Sequence, residues 1–256
     1  MSAAALSAAS AASGLLSAPA AVTAASPVIP DYGDASQCVQ NNGLFCGDWF
    51  VQQWPVIFAP ALLSHIMMTL IAVVIGFIIA FAAALYAHRM QWFAGPFGAV
   101  SAFLYTLPPL ALFQLLVPIT GLTLLTVEIA LVAFTLMILF RATIAGLNNV
   151  SPDVRRAGVG MGLTRGQILR RIELPLAIPS IISGLRIATV LTVSIATIAA
   201  FVIDTGLGSP ILKAISSPFN TQFIGAGALA VLLAFAFDGV LALLGRLLSP
   251  WTKARA

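Results

Sequence analysis

Three charged side chains interrupt otherwise apolar stretches: Glu128, Arg186 and Asp238. Ionisable groups so placed are costly away from water and commonly face a pathway or a partner. Glu128 lies seven residues beyond Gly121, about 10 Å along a helix, and has two readings. Either it is structural, protonated or bonded to the hydroxyl of Thr123 or Thr126, or it lines a cavity where negative charge meets a cationic ligand. Arg186 reads as an anchor or domain contact, snorkelling from the cytoplasmic end of a helix. Asp238 has Arg246 about 12 Å along the same helix, so a partner on another element is the better expectation.

Other reactive groups are few. His65 and His88 are the only histidines, and His65 alone reads as a packed or interfacial imidazole rather than a metal ligand. Two cysteines exclude an iron–sulfur centre or a multi-disulfide scaffold. Asn41, Asn42 and Gly43 lie between Cys38 and Cys46, so the chain can turn back to form a disulfide; two free thiols are the alternative. No Walker motif, HExxH pair or cysteine–histidine cluster occurs. No catalytic residue, metal ligand or cofactor of this chain is therefore assigned. An aromatic cage for a quaternary ammonium ion cannot be located, because the four tryptophans fit membrane borders instead.

The elements that must position these groups are set by composition. Hydrophobic residues make up 60% of the 256 positions and charged residues 8%, against about a quarter charged in globular chains. Mean hydropathy is +1.05. Residues 49–88, 90–127 and 214–237 contain no Asp, Glu, Lys or Arg. A spanning helix needs roughly 20 apolar residues, so the chain is an all-α polytopic membrane protein and soluble enzyme folds are excluded. The net charge of +4 does not indicate nucleic acid, because the basic residues fall in gaps between apolar segments.

Five spans are predicted: 62–87, 97–117, 122–140, one within 177–203 and one within 222–244. Pro108 and Pro109 interrupt the second, so it faces protein around the break. Residues 1–55 are expected to be a flexible periplasmic tail, 56–250 the transmembrane domain and 251–256 a cytoplasmic tail. The Ala- and Ser-rich residues 1–30 also allow a wrongly chosen start or a cleaved signal peptide. Ten of the twelve basic residues, Arg89, Arg141, Arg155, Arg156, Arg165, Arg170, Arg171, Arg246, Lys253 and Arg255, share one side. The positive-inside rule then puts the N-terminus out and the C-terminus in.

Residues 141–173 carry eight of the 20 charges. Ser151 as a cap and Pro152 at the first helical position predict a short helix to about Val159. Gly158, Gly160 and Gly162 oppose a longer one. Thr164 and Gln167 form a capping box for a second helix, and Pro175 and Pro179 limit its continuation. Such helices either lie at the headgroups or form a docking surface for a cytoplasmic partner.

Ala157, Gly162, Ile172, Leu174 and Pro175 match the spacing of the EAA loop, Glu-Ala-Ala, three residues, Gly, nine residues, Ile-x-Leu-Pro. The chain thus resembles the permease subunits of bacterial ABC importers, most of all those for glycine betaine, choline and related osmoprotectants. The likeness extends over 62–250 and includes TLPPLALFQLLVPITG and MGLTRGQILRRIELPLAIPSIISGLRIATV. Arg156 stands where the pattern has Glu, and Gly158 where it has the second Ala. The resemblance implies a type I importer permease with a five-helix core in a bacterial inner membrane, working by alternating access. It implies ATPase coupling through Val154, Arg155, Arg156, Ala157, Gly158 and Gly162, with Ile172, Leu174 and Pro175 returning the chain to the membrane. The implied partners are a cytoplasmic ABC ATPase dimer holding ATP and Mg, a second identical or paralogous permease, a periplasmic substrate-binding protein and the lipid bilayer. A permease for another small polar solute such as an amino acid, a proton-coupled carrier using Glu128, and a membrane scaffold are the alternatives.

Overall fold

A computed structural model of the chain describes residues 36–251. Expectations placed on residues 1–35 and 252–256, including Lys253 and Arg255, lie outside the described residues. Helices follow in the order α1 (Gln37–Gln40), α2 (Gly47–Gln53), α3 (Ala59–Arg89), α4 (Gln91–Thr106), α5 (Pro109–Thr120), α6 (Leu124–Asn148), α7 (Pro152–Gly160), α8 (Arg165–Ile168), α9 (Leu174–Ile198), α10 (Gly208–Ser216) and α11 (Asn220–Leu248). No strand occurs among the described residues.

α6 packs along both α3 and α9, and α11 lies against α9. Lipid offers apolar side chains nothing that a neighbouring helix does not, so close backbone approach has to hold such a bundle. A methyl at Gly76 of α3 would fall 1.8 Å from the Thr135 hydroxyl oxygen of α6. One at Gly184 of α9 would meet the Ala142 methyl at 2.2 Å. The seams continue through Ala80, Ala84 and Ala188 around Leu139 and Phe140, and through Met68, Phe113, Leu131 and Phe134. Val74 and Ile78 of α3 point outward and are exposed, as a surface facing hydrocarbon requires.

The second span is broken where expected, with α4 and α5 meeting at 101°. Phe97 packs at a tilt on Phe140, Tyr105 meets Phe134 edge-on, and the Thr120 hydroxyl lies 2.6 Å from that of Thr126. From Phe140 to Thr126 is about 21 Å along α6, so the pair climbs the length of its neighbour and counts as one bent span. Four long apolar helices and this bent pair make up to five crossings among the described residues.

Several sequence boundaries shift. Residues 36–55, assigned with the preceding residues to a tail, form α1 and α2 and are closed by a Cys38–Cys46 disulfide. The apolar pattern missed them because their burial is against α11 and its entry turn rather than lipid. α6 continues eight residues past Phe140 to Asn148, so the hydrophilic loop begins later than Arg141. Pro175 and Pro179 do not stop the helix, which is continuous over Arg165–Phe201. A π-helical turn at Leu169–Glu173 precedes Pro175, and its wider ring supplies room that a proline denies to an α turn. A second π turn, Trp54–Phe58, sits ahead of Pro60 and joins α2 to α3.

Candidate functional site

The short helix α7 is built as its sequence predicts. The Ser151 hydroxyl accepts from the Asp153 amide at 3.3 Å, and Pro152 fills the first turn. At the other end Gly162 has φ +78°. Leu163 N donates to the Gly158 carbonyl at 3.1 Å and Gly162 N to that of Val159 at 2.9 Å, a Schellman ending that favours glycine. Thr164 and Gln167 then make the reciprocal capping box that starts α8.

α7 is tied to α3 and α9 through one carboxylate, and to α6 through Arg155. Arg155 Nε lies 2.7 Å from Glu173 Oε1 while its Nη2 donates to the Leu147 carbonyl at 2.7 Å, near the end of α6. His88, at the end of α3, donates from Nε2 to Glu173 Oε2 at 3.0 Å. Glu173 is buried and ends the π turn that leads into α9. Gly158 is buried too, and a methyl there would meet Ile172 Cδ1 at 2.9 Å. Of the residues expected to couple, Arg155, Gly158 and Ile172 thus hold α7 onto the membrane domain, while Val154, Arg156 and Ala157 are exposed. Arg156 is engaged with Asp153 of its own helix. Leu174 and Pro175 are half-buried in the first turn of α9. The free face of α7 and its C-terminal turn carries Val154, Val159 and Met161, the last 71% exposed. Glu173, Val159 and Met161 were not singled out by the sequence; apolar residues inside a hydrophilic loop were the available signal.

Within the bundle, Arg186 donates from Nε to Asp238 Oδ1 at 2.8 Å and from Nη2 to Oδ2 at 2.7 Å. This bidentate pair joins α9 to α11 and supplies the partner on another element expected for Asp238. Arg186 does not sit at a helix end as anticipated, because α9 begins at Leu174 and places it at mid-helix. Its pair with Asp238 is a contact between helices, the other part of what was expected of it. The two side chains remain 39% and 33% exposed. Asp238 borders a groove between α9 and α11 of about 620 Å³ that also contacts Ser194, Thr197 and Ala234, and Arg186 lines an adjoining one of about 430 Å³ that shares Asp238.

Glu128 is buried with neither carboxylate oxygen hydrogen-bonded. The hydroxyl of Thr126, one of its expected partners, instead caps the α5–α6 turn by donating to the Gly121 carbonyl at 2.5 Å. His65 is packed, donating from Nε2 to the Val193 carbonyl at 3.1 Å and accepting from the Leu207 amide on Nδ1 at 3.1 Å. Both ring nitrogens are thus used by backbone, and no cluster that could hold a metal occurs among the described residues. On the loop after α9, the Asp204 carboxyl is held below its usual range by the Lys213 ammonium of α10, 2.7 Å away, and by the Ser209 hydroxyl of the same helix. That contact is present at neutral pH and is lost only as pH falls through the lowered value.

Comparison with known proteins adds a family. The family described as binding-protein-dependent transport system inner membrane component matches residues 72–253. The choline transport system permease protein OpuBB of Bacillus subtilis is 33% identical over 188 residues, 73% of this chain and 86% of that protein. The osmoprotectant import permease protein OsmW of Salmonella typhimurium is 32% identical, covering 73% and 89% of the two chains. Among solved structures, an inward-facing MetNI methionine ABC transporter superposes with a TM-score of 0.67 over 77% of this chain and 98% of that one, at 18% identity. That likeness concerns the fold.

Proposed function

Because this chain belongs to the binding-protein-dependent transport system inner membrane components, the permease subunits of ABC importers, we propose that it moves glycine betaine, choline or a related quaternary-amine osmoprotectant into the cytoplasm. The substrate class is supported by relatives named for choline, carnitine and osmoprotectant transport. The observation that carries the mechanism is the seating of α7. Its inner face is locked by Arg155, Glu173 and Gly158, leaving Val154, Val159 and Met161 to meet another protein. A cytoplasmic ABC ATPase dimer is the proposed occupant, and its closure on ATP would pull α7 and, through Glu173, the inner ends of α3 and α9.

A second permease is the proposed cover for the α9–α11 groove. A charged pair one-third exposed at mid-helix is expensive against hydrocarbon, whereas a subunit interface or a watered pathway accommodates it. A periplasmic binding protein would then deliver solute from the side opposite α7. Replacing both Val159 and Met161 by Asp is expected to lower ATPase co-purification and ATP-driven choline uptake at least about tenfold, since a docking face tolerates no buried unpaired charge. Wild-type co-purification with wild-type uptake would remove the coupling role. Uptake that needs ATP and survives collapse of the proton gradient separates this reading from a proton-coupled carrier.

Orientation has its own test. The basic residues at Arg89, Arg155, Arg156, Arg165, Arg170 and Arg171 gather at the α7 end, so that end is proposed to be cytoplasmic. A single cysteine introduced at Ser151 is expected to resist membrane-impermeant thiol reagents in intact cells, and one at Ser216 to react. The reverse pattern would invert the topology.

A further inference from the structure

The disulfide-closed ring 38–46 lies ahead of residues 72–253, which carry the family match. Its contacts converge on the start of α11. Asn42, at φ +47°, accepts on Oδ1 from the Asn220 amide at 2.9 Å and donates from Nδ2 to the Pro218 carbonyl at 3.2 Å. Asn220 returns a bond from its own side-chain amide to the Asn42 carbonyl at 3.0 Å, and Cys46 N donates to the Thr221 hydroxyl at 2.8 Å. The residue at the N-cap position of α11, Phe219, makes no side-chain cap bond. Asn42 therefore satisfies a first-turn amide of a helix 178 positions away, the task normally performed by a helix's own cap residue.

Packing fixes the same joint. Trp49 stands edge-on to Phe219 at 4.6 Å between ring centroids and to Phe58 at 6.1 Å. Phe50 lies so near Gly225 of α11 that a methyl there would come within 2.8 Å of its ring. α3 with its extension runs unbroken over Gly47–Arg89, about 64 Å at helical rise, longer than the 40–45 Å of a whole bilayer. Its outer end is thus free to reach the top of α11, which is otherwise held by α10, by packing on α9 and by the Arg186–Asp238 pair.

We propose that the ring 38–46 is an external clasp, whose disulfide holds Asn42 in position to cap α11 and fixes the outer ends of α3 and α11 to each other, and that transport depends on it. Asn42 and the two cysteines are positioning residues, and the device makes the outer face responsive to thiol reductants. Reduction by a phosphine is balanced: the disulfide takes up two electrons and two protons to give two thiols, and the phosphine takes oxygen from water to become its oxide.

The test uses the assembled transporter in nanodiscs and in proteoliposomes, treated with a charged phosphine and then alkylated at Cys38 and Cys46. Amide hydrogen exchange in the first turn of α11, residues 220–223, is expected to quicken about five- to tenfold, with α6 and α9 unchanged. Asn42→Ala, which leaves the disulfide intact, is expected to reproduce that local change, so the result does not hinge on a Cys38→Ser, Cys46→Ser double variant folding. ATP-driven uptake of choline is expected to fall several-fold in both cases. Unchanged exchange at 220–223 after complete alkylation overturns the clasp. Loosening spread equally over all helices overturns it too, as does local loosening with uptake unaltered. The uptake arm rests on the importer reading; if oxidised wild-type protein moves no choline that reading fails, while the exchange arm still decides whether the clasp caps α11.

Discussion

Glu173→Ala is expected to uncouple ATP hydrolysis from transport while leaving the chain in the membrane. Both oxygens of this buried carboxylate are in use, one toward Arg155 of α7 and one toward His88 of α3. Deleting it strands a half-buried guanidinium that has lost its ion pair and keeps the hydrogen bond to the Leu147 carbonyl. Removing one partner of a buried pair costs about 3–5 kcal/mol, and the one-third exposure of Arg155 brings the figure nearer 2 kcal/mol. The span pattern is untouched, so insertion should proceed as in wild type. What is lost is the stiff link through which movement of α7 reaches α3 and α9. The ratio of ATP hydrolysed to solute moved should rise about tenfold or more in proteoliposomes, and Glu173→Gln, which still accepts hydrogen bonds, should fall between. A wild-type ratio for the alanine variant would show that α7 transmits force by packing at Gly158 alone.

The second large effect concerns the pair between α9 and α11. Asp238→Ala leaves Arg186 at mid-helix with no carboxylate, and an arginine without a partner inside a membrane segment is costly. Thermal unfolding in detergent-free nanodiscs should shift down by several degrees, and the exchange Arg186→Asp with Asp238→Arg should recover most of the loss. Removing both charges as Arg186→Met with Asp238→Leu separates two roles. Stability should be near wild type, because a well-packed apolar replacement of an ion pair is often neutral. Uptake should nevertheless fall, because Asp238 borders the groove proposed to meet the second permease. Wild-type uptake by the apolar double variant would make the pair a packing device only.

Much of this architecture was legible in single residues. The break at Pro108 and Pro109, the capping box of Thr164 and Gln167, and a partner for Asp238 outside its own helix all follow from short-range chemistry, and the structure has each of them. Arg186 was misplaced because its helix begins earlier than the prolines allowed; a π turn has no sequence signature comparable to a cap. Gly158 was expected on the surface offered to the ATPase, yet it faces Ile168 and Ile172. The direction a residue faces on a two-turn helix depends on the packing beneath it. Glu173 looked like one more charge beside Arg170 and Arg171, and only the return of α3 brings His88 to it. The Asn42–Asn220 contact spans nearly the whole described chain and could not be read from either neighbourhood.

The π turns at 54–58 and 169–173 bear on how such a chain can change length through descent. A π turn is an α-helix carrying one extra residue, so the helix on either side keeps the facing it would have without that residue. A gene shortened by one codon within 169–173 would leave Arg186 still turned toward Asp238. The same loss between Gly184 and Ile198 would rotate everything beyond it by about 100° and break the match of α9 to its neighbours. Single-residue gaps between this chain and its kin are accordingly cheapest in those two turns, where each long helix can gain or shed a residue without renegotiating its contacts.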